Sequence, residues 1–265
     1  RLGLRFLPQM LSGPFLSNYV LLLSVHHLHF TPYLPRCARS TERVYHLSVV
    51  YGGHGISSLA FASGKGYLKT VNFLVTRRGA DVHAGGDEAL ALTSANGHLE
   101  VVQFLIGVGA DVHAGGDKAL MWASRKGHLE VVKFLVSRGA NVRAASDNGA
   151  LIYVSGDGHL GVVKFLVQSG ADIHASGDKA LRRASENGHL EVVEYLVESG
   201  ADVHAENDYA LRWALVNCHL EVAKFLIGVG ADVHANYDHA LRWASWKGHL
   251  EVVKYLVSQG ADVHA

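Results

Sequence analysis

Histidine is the residue type in this sequence with the clearest potential for metal or acid–base chemistry. The chain contains 18 histidines in 265 residues, and twelve of them recur about every thirty residues in two series. The first series is His98, His128, His159, His189, His219 and His249, and the second is His83, His113, His174, His204, His234 and His264, with Arg143 interrupting it. A metal site would need several of these imidazoles to converge on one ion.

Convergence of this kind conflicts with the spacing. Zinc requires ligand nitrogens at about 2.0–2.1 Å from the ion. Elements that repeat along a stack lie about 8–10 Å apart when they are helices. Neighbouring members of one series therefore cannot share an ion, and we predict neither a metal nor a cofactor. We expect the first series to open helices and bond loop backbone, and the second series to fix the loops between units.

Carboxylates and cysteines are equally hard to place in a catalytic site. Five glutamates recur in phase, and lysines follow three of them after three residues, which is typical of a solvated helix face. These glutamates are Glu100, Glu130, Glu191, Glu221 and Glu251. The two cysteines, Cys37 and Cys218, lie in unrelated contexts, which favours a reducing, cytoplasmic compartment. We predict that the chain is not an enzyme.

The periodicity itself shows which elements hold these residues. Counting back from Ala265, the same phase returns at steps of 30, 30, 30, 31, 30 and 30 residues. The chain thus contains seven units from Gly55 onward. Units of this size cannot bury an apolar face alone, so they must stack on one another to form a core.

Each unit has the pattern of two short antiparallel helices. An aspartate precedes Ala-Leu at the start of the first helix, which predicts a helix N-cap. A glycine, such as Gly97, separates the two helices, and the glycine of GAD ends the second helix in a left-handed conformation. Cys218 replaces the first of these glycines in the sixth unit, where we expect a strained positive φ.

The segment GHLEVVKFLVSRGANVRA and its counterparts resemble ankyrin repeats over roughly four fifths of the chain. The resemblance implies an all-α ankyrin-repeat solenoid. The chain departs from the family in opening its units with Asp-x-Ala-Leu and in having shortened finger loops, the loops that join successive units. Little or no β-hairpin is expected there. The motifs GADVHA and ALRWAS are similar to those of ankyrin-repeat proteins of giant DNA viruses of amoebae. This resemblance implies a viral protein that acts in the host cytoplasm.

Residues 1–54 do not share the repeat phase. We expect a poorly ordered, non-repeat N-terminal segment at 1–54 and the repeat array at 55–265. The first 54 residues carry five arginines and one glutamate, so the array is left mildly acidic and is a poor match for nucleic acid. The apolar run from Tyr19 to Val25 is far shorter than the ~20 residues that span a bilayer. The start at Arg1 and the stop in repeat phase suggest a fragment.

The informative positions are those that vary while the frame repeats. Two of them follow each Ala-Leu, and a third lies at the finger tip. Aromatic and arginine side chains are frequent there, and these residue types are enriched among binding hot spots. We predict that the following residues contact a partner: Trp122, Tyr153, Arg182, Arg183, Tyr209, Arg212, Trp213, His239, Arg242 and Trp243.

Two structural roles compete with this prediction. The tryptophans could only seal neighbouring units, and the arginines could pair with Asp178, Asp208 and Asp238, four residues earlier in the sequence. The favoured hypothesis is a monomeric, non-enzymatic scaffold that binds a protein through its concave face of first helices and fingers. One alternative is an adaptor of a ubiquitin ligase or similar host machinery, and another is a membrane-attached scaffold.

Overall fold

The structure, a computed structural model, describes residues 57–143 and 149–264. These residues form seven helix pairs and contain no β-strand. The first helices are α1 (Ser58–Gly64), α3 (Ala84–Ala95), α5 (Ala114–Arg125), α7 (Ala150–Gly156), α9 (Ala175–Glu186), α11 (Ala205–Val216) and α13 (Ala235–Lys247). The second helices are α2 (Leu68–Arg78), α4 (Leu99–Gly107), α6 (Leu129–Ser137), α8 (Leu160–Gln168), α10 (Leu190–Glu198), α12 (Leu220–Gly228) and α14 (Leu250–Ser258).

The helices stack in two layers, because first helices contact the first helices of adjacent units and second helices contact second helices. The second to sixth units bury apolar side chains at the same five positions. In the second unit these are Ala89 and Leu90 on α3 and Val101, Val102 and Leu105 on α4. The predicted all-α solenoid is therefore confirmed. The prediction for residues 1–54 lies outside the described residues.

Both predicted glycine turns are present. Gly109, after α4, has a φ of 107°, and the next amide, that of Ala110, donates to the carbonyl of Leu105 at 3.0 Å. The glycines between the two helices of a unit have φ values between 72° and 79°. They are Gly66, Gly97, Gly127, Gly158, Gly188 and Gly248. Cys218 holds the same position at a φ of 66°, so its predicted positive φ is also confirmed.

The aspartates before Ala-Leu do not act as N-caps, and that prediction was wrong. Asp87 has a φ of 57° and is the last of three consecutive left-handed residues, after Gly85 and Gly86. The right-handed part of α3 begins only after it. Left-handed backbone turns the carboxylate away from its own helix, and Oδ1 accepts from the backbone amide of Asp111, in the finger that follows α4 of the same unit, at 2.9 Å. The aspartate therefore joins two successive fingers.

The same link is repeated by the other buried aspartates of the fingers. Asp117, Asp178, Asp208 and Asp238 also have positive φ and accept the backbone amide located 24 residues later. Each also accepts from Nδ1 of the histidine four residues earlier, at 3.0 Å in these four units. The second histidine series thus fixes the fingers, as expected.

The first histidine series connects units on the other side of the first helices. Nε2 of His128 donates to the carbonyl of Ala95 in the preceding unit at 3.1 Å, and His189 does the same to Gly156 at 2.9 Å. The bonded carbonyl ends the neighbouring first helix, whereas we had expected a bond within the loop. Across the described ranges, no three His, Cys, Asp or Glu side chains are grouped as a metal site would require.

Candidate partner-binding surface

The first helices and fingers together carry the positions that vary from unit to unit. We call the ten predicted contact residues on these elements the first-helix face. Arg183, Arg242 and Trp243 are exposed. The other seven are half-buried: Trp122, Tyr153, Arg182, Tyr209, Arg212, Trp213 and His239. Half-burial fits side chains that pack against the frame and still present an edge to solvent.

Three arginines of this face are held by the fingers. Nη2 of Arg182 donates to the carbonyl of Ser176 at 3.0 Å, and Nη2 of Arg242 donates to that of Asn236 at 3.2 Å. Arg212 makes two such bonds, from Nε to Asn207 at 2.8 Å and from Nη2 to Glu206 at 3.0 Å.

The acceptors are therefore backbone carbonyls of the left-handed turn. The alternative prediction, pairing with the aspartate four residues earlier, was wrong. Those carboxylates already accept from a histidine and from a backbone amide of the following finger, so the planar guanidinium groups close the turn instead.

Tyr209 lies at the centre of a stack that joins the fifth and sixth units. The guanidinium carbon of Arg182 is 4.9 Å from the centre of the Tyr209 ring, and the guanidinium carbon of Arg212 is 5.7 Å from the same centre. The ring of Trp213 stacks against it with centroids 5.6 Å apart and an interplanar angle of 28°. A cation over an aromatic face is attractive by about 0.5–2 kcal/mol, depending on its desolvation. The stack therefore presents an ordered aromatic and cationic surface.

The seventh unit has a second aromatic cluster. The Trp243 ring is 5.9 Å from that of His239 and 5.0 Å from that of Trp246, which meets it edge-on at 87°. Nζ of Lys247 lies 5.9 Å from the Trp243 ring centre and 4.9 Å from that of Trp246. Trp243 is 38% exposed and Trp246 is 72% exposed. Both indoles thus remain accessible.

The third and fourth units contribute a smaller cluster around Arg125. Its guanidinium carbon lies 5.6 Å from the ring centre of Trp122 and 5.5 Å from that of Tyr153. Its Nε also donates to Oδ2 of Asp157 at 3.2 Å. Here Arg125 bridges the aromatic side chains of two units, so Trp122 and Tyr153 help to join the third unit to the fourth.

Arg125 and Trp246 were missing from the sequence prediction, although they share one position in their units. This position lies three residues after Trp122 and Trp243, respectively. Residues three apart on a helix are neighbours on its surface. Extending the varied positions by that spacing would have found both residues.

Positive charge accumulates where the last two units meet on this face. Burial lowers the pKa of His239, and the charges of Arg212 and Arg242 lower it further.

Comparison with protein families identifies the repeat. The pattern of the family described as "Ankyrin repeats (3 copies)" matches residues 59–146, 141–207 and 203–265. The chain belongs to the ankyrin-repeat family. Ankyrin repeats are general protein–protein interaction modules, and the all-helical units described above fit that assignment. A comparison with curated proteins gave no match. The similarity to ankyrin proteins of giant viruses therefore stays a prediction.

Within the described parts of this ankyrin array, no helix has the length and apolar character needed to cross a bilayer. The second helices carry the predicted ion pairs. Lys133 and Glu130 are 2.7 Å apart, and Lys224 and Glu221 are 2.8 Å apart. All four side chains are at least 44% exposed, so these pairs contribute little to stability. The outer side of the array is thus charged, and the aromatic clusters lie on the first-helix face.

Proposed function

We propose that the chain is a non-enzymatic scaffold that holds a protein partner against its first-helix face. Membership in the ankyrin-repeat family supports a role in protein–protein interaction. The observation that favours this face is the stack of Arg182, Tyr209, Arg212 and Trp213, because it orders half-buried aromatic and guanidinium groups before any partner arrives. Pre-ordered side chains lose less conformational entropy on binding.

The frame explains how this order is maintained. Each finger is tied to its neighbour by a buried aspartate, and each arginine closes the finger turn through carbonyl bonds. Bonds that link successive units limit the independent movement of the side chains they carry. A partner would therefore meet a surface with a fixed spacing between units.

The test begins with a partner identified by chemical crosslinking to the full chain and then purified. Trp122→Ala combined with Arg183→Glu should weaken its binding at least about tenfold in calorimetry, since aromatic and arginine contacts dominate interfaces. Because Trp122 also contacts Arg125, urea unfolding must first show that this variant is folded. We avoid Arg212 in this variant because its guanidinium group supports the finger.

The matched control is Glu130→Lys with Glu221→Lys on the second helices, where both side chains are exposed. It should leave affinity within about twofold, since these side chains lie on the second helices, away from the first-helix face. The lost surface ion pairs should change the free energy of unfolding by less than about 1 kcal/mol. If the control pair weakens binding and Trp122→Ala with Arg183→Glu does not, the binding surface is the outer side of the array.

The membrane-attached hypothesis depends on residues 1–54, outside the described ranges, and the adaptor hypothesis depends on a recruiting domain that lies there or beyond the given sequence. They remain alternatives within the same scaffold function. Flotation with liposomes, using the full chain and a variant lacking residues 1–54, tests membrane attachment. Co-purification of a ubiquitin ligase subunit that depends on residues 1–54 would support the adaptor.

A further inference from the structure

An open groove lies on the first helix of the seventh unit. We call it the terminal groove; it is lined by His239, Arg242, Trp243 and Trp246 and has a volume of about 460 Å³. The two indoles meet edge-on and form a corner, with the imidazole of His239 beside Trp243. A cleft of this size accepts a large side chain together with part of its backbone.

At the positions that line the groove, the residues of the seventh unit differ from those of the sixth. Val216 corresponds to Trp246 and is buried, at 8% exposure, whereas Trp246 is 72% exposed. Trp213 corresponds to Trp243 and is half-buried against Tyr209. Two adjacent exposed indoles form an apolar patch of the kind that soluble proteins expose mainly at interaction sites.

The charges around the groove determine what it can bind. Arg242 lines it, and Lys247 lies over both indoles. Asp238 precedes the groove in sequence, but it is 5% exposed, and its Oδ1 accepts from His234 and from the amide of Asp262. Burial lowers the pKa of His239, and the positive charges of Arg212 and Arg242 lower it further. An anionic group would find cationic partners beside an apolar corner.

We propose that the terminal groove binds an acidic segment of a protein partner, with a large apolar side chain between Trp243 and Trp246 and a neighbouring carboxylate against Arg242 and Lys247. The proposal rests on the scaffold function and specifies the partner's chemistry at one end of the array. Apolar burial supplies affinity, and charge complementarity selects the acidic sequence.

The four tryptophans of the chain provide a direct test, because each gives one indole N–H signal in the nuclear magnetic resonance spectrum of the chain. The probe is an acetylated, amidated peptide Asp-Glu-Leu-Glu-Asp. We expect it to shift the Trp243 and Trp246 signals, to leave Trp122 and Trp213 unmoved, and to bind with a Kd below about 1 mM. Tryptophan-to-phenylalanine variants assign the signals.

Two control peptides separate the apolar and charged contributions. Replacing leucine with serine, or every acid with lysine, should weaken binding at least about tenfold, or about 1.4 kcal/mol. In the protein, Lys247→Glu should weaken the binding of the acidic peptide to a similar extent. Trp246→Ser should abolish the response, and it should fold because the side chain is mostly exposed.

Three outcomes would overturn the proposal: signals of Trp243 and Trp246 that do not move, equal shifts with the lysine peptide, or peptide binding that survives Trp246→Ser. A dimer that Trp246→Ser converts to monomer, without any peptide response, would assign the groove to contact between copies and also refute the proposal. The scaffold function is tested separately through Trp122 and Arg183 in other units, so it can stand when the groove fails.

Discussion

The imidazole of His219 lies directly against the backbone of Gly188 in the preceding unit. A Cβ added to this glycine would be 2.4 Å from Nδ1 of His219, closer than atoms can pack. The same contact joins His98 to Gly66, His128 to Gly97, His159 to Gly127 and His189 to Gly158. The glycine between the helices is therefore required twice, for its left-handed φ and for the ring of the next unit.

Cys218 departs from this rule, which gives the first prediction. Cys218→Gly should stabilise the protein by about 1 kcal/mol, because it removes a side chain from a left-handed residue. The side chain is exposed, so little packing is lost. Urea unfolding of the full chain measures the change.

Cys218→Ala is the matched control, since it removes the thiol and keeps the Cβ. Its stability should stay close to that of the parent chain. Gly188→Ala should destabilise by about 2–4 kcal/mol through strain and contact with His219. An equal gain from Cys218→Ala and Cys218→Gly would show that the thiol, and not the backbone, causes the strain.

The second prediction concerns the buried aspartate of the fifth unit. Asp178→Ala should cost about 3 kcal/mol, because it leaves the amide of Asp202 without its acceptor and places alanine at a φ of 54°. Asp178→Asn should cost less than about 1.5 kcal/mol. Both bonds reach Oδ1, which an asparagine retains, and asparagine tolerates left-handed backbone.

His174→Ala distinguishes the two partners of Asp178. The histidine side chain is 62% exposed, so its loss should cost less than about 1 kcal/mol. A cost equal to that of Asp178→Ala would mean that the imidazole, and not the amide of Asp202 in the following finger, is the main partner of the carboxylate.

The sequence predicted the helix pairs and both glycine turns because these depend on local backbone preferences. It could not predict the role of Asp87. An aspartate before an apolar helix gives the same local pattern whether it caps that helix or adopts a left-handed conformation. The deciding partner is the amide of Asp111, which lies 24 residues later in the finger that follows the second helix.

The candidate site was predicted in part for a similar reason. Arg212 and Trp243 stand at varied positions, and the sequence shows that directly. The carbonyl bonds of Arg212 depend on the left-handed finger turn, which its non-glycine sequence Glu206-Asn207-Asp208 conceals. Trp246 would have been predicted as a site residue only by including the position one helical turn after the two varied positions, three residues beyond Trp243.

A third prediction follows from the left-handed finger of the seventh unit. Tyr237 has a φ of 58° and is 82% exposed. Tyr237→Gly should therefore stabilise by about 1 kcal/mol, because strain is relieved and almost no packing is lost. Tyr237→Ala retains the Cβ and should change stability much less.

Gly116 occupies the same position in the third unit and allows the reverse experiment. A Cβ there would meet nothing within 4 Å, so Gly116→Ala should cost about 1 kcal/mol from backbone strain alone. If Tyr237→Gly fails to stabilise while Gly116→Ala destabilises, the tyrosine makes a compensating contribution that its exposure does not reveal.

The last prediction concerns a row of buried serines on the first helices. The hydroxyls of Ser63, Ser94, Ser124, Ser155 and Ser185 are buried and have no hydrogen-bond partner within the described ranges. The sixth unit has Leu215 at this position, fully buried, so the site accepts an apolar side chain. Ser124→Ala should stabilise by about 1 kcal/mol, since it removes an unsatisfied hydroxyl and favours the helix.

Ser245 is exposed at the equivalent position, and Ser245→Ala should give only the helix-propensity part, about 0.5 kcal/mol. Urea unfolding compares the two variants, and a loss of stability in Ser124→Ala would show that the buried hydroxyl has a partner that holds the first helices together.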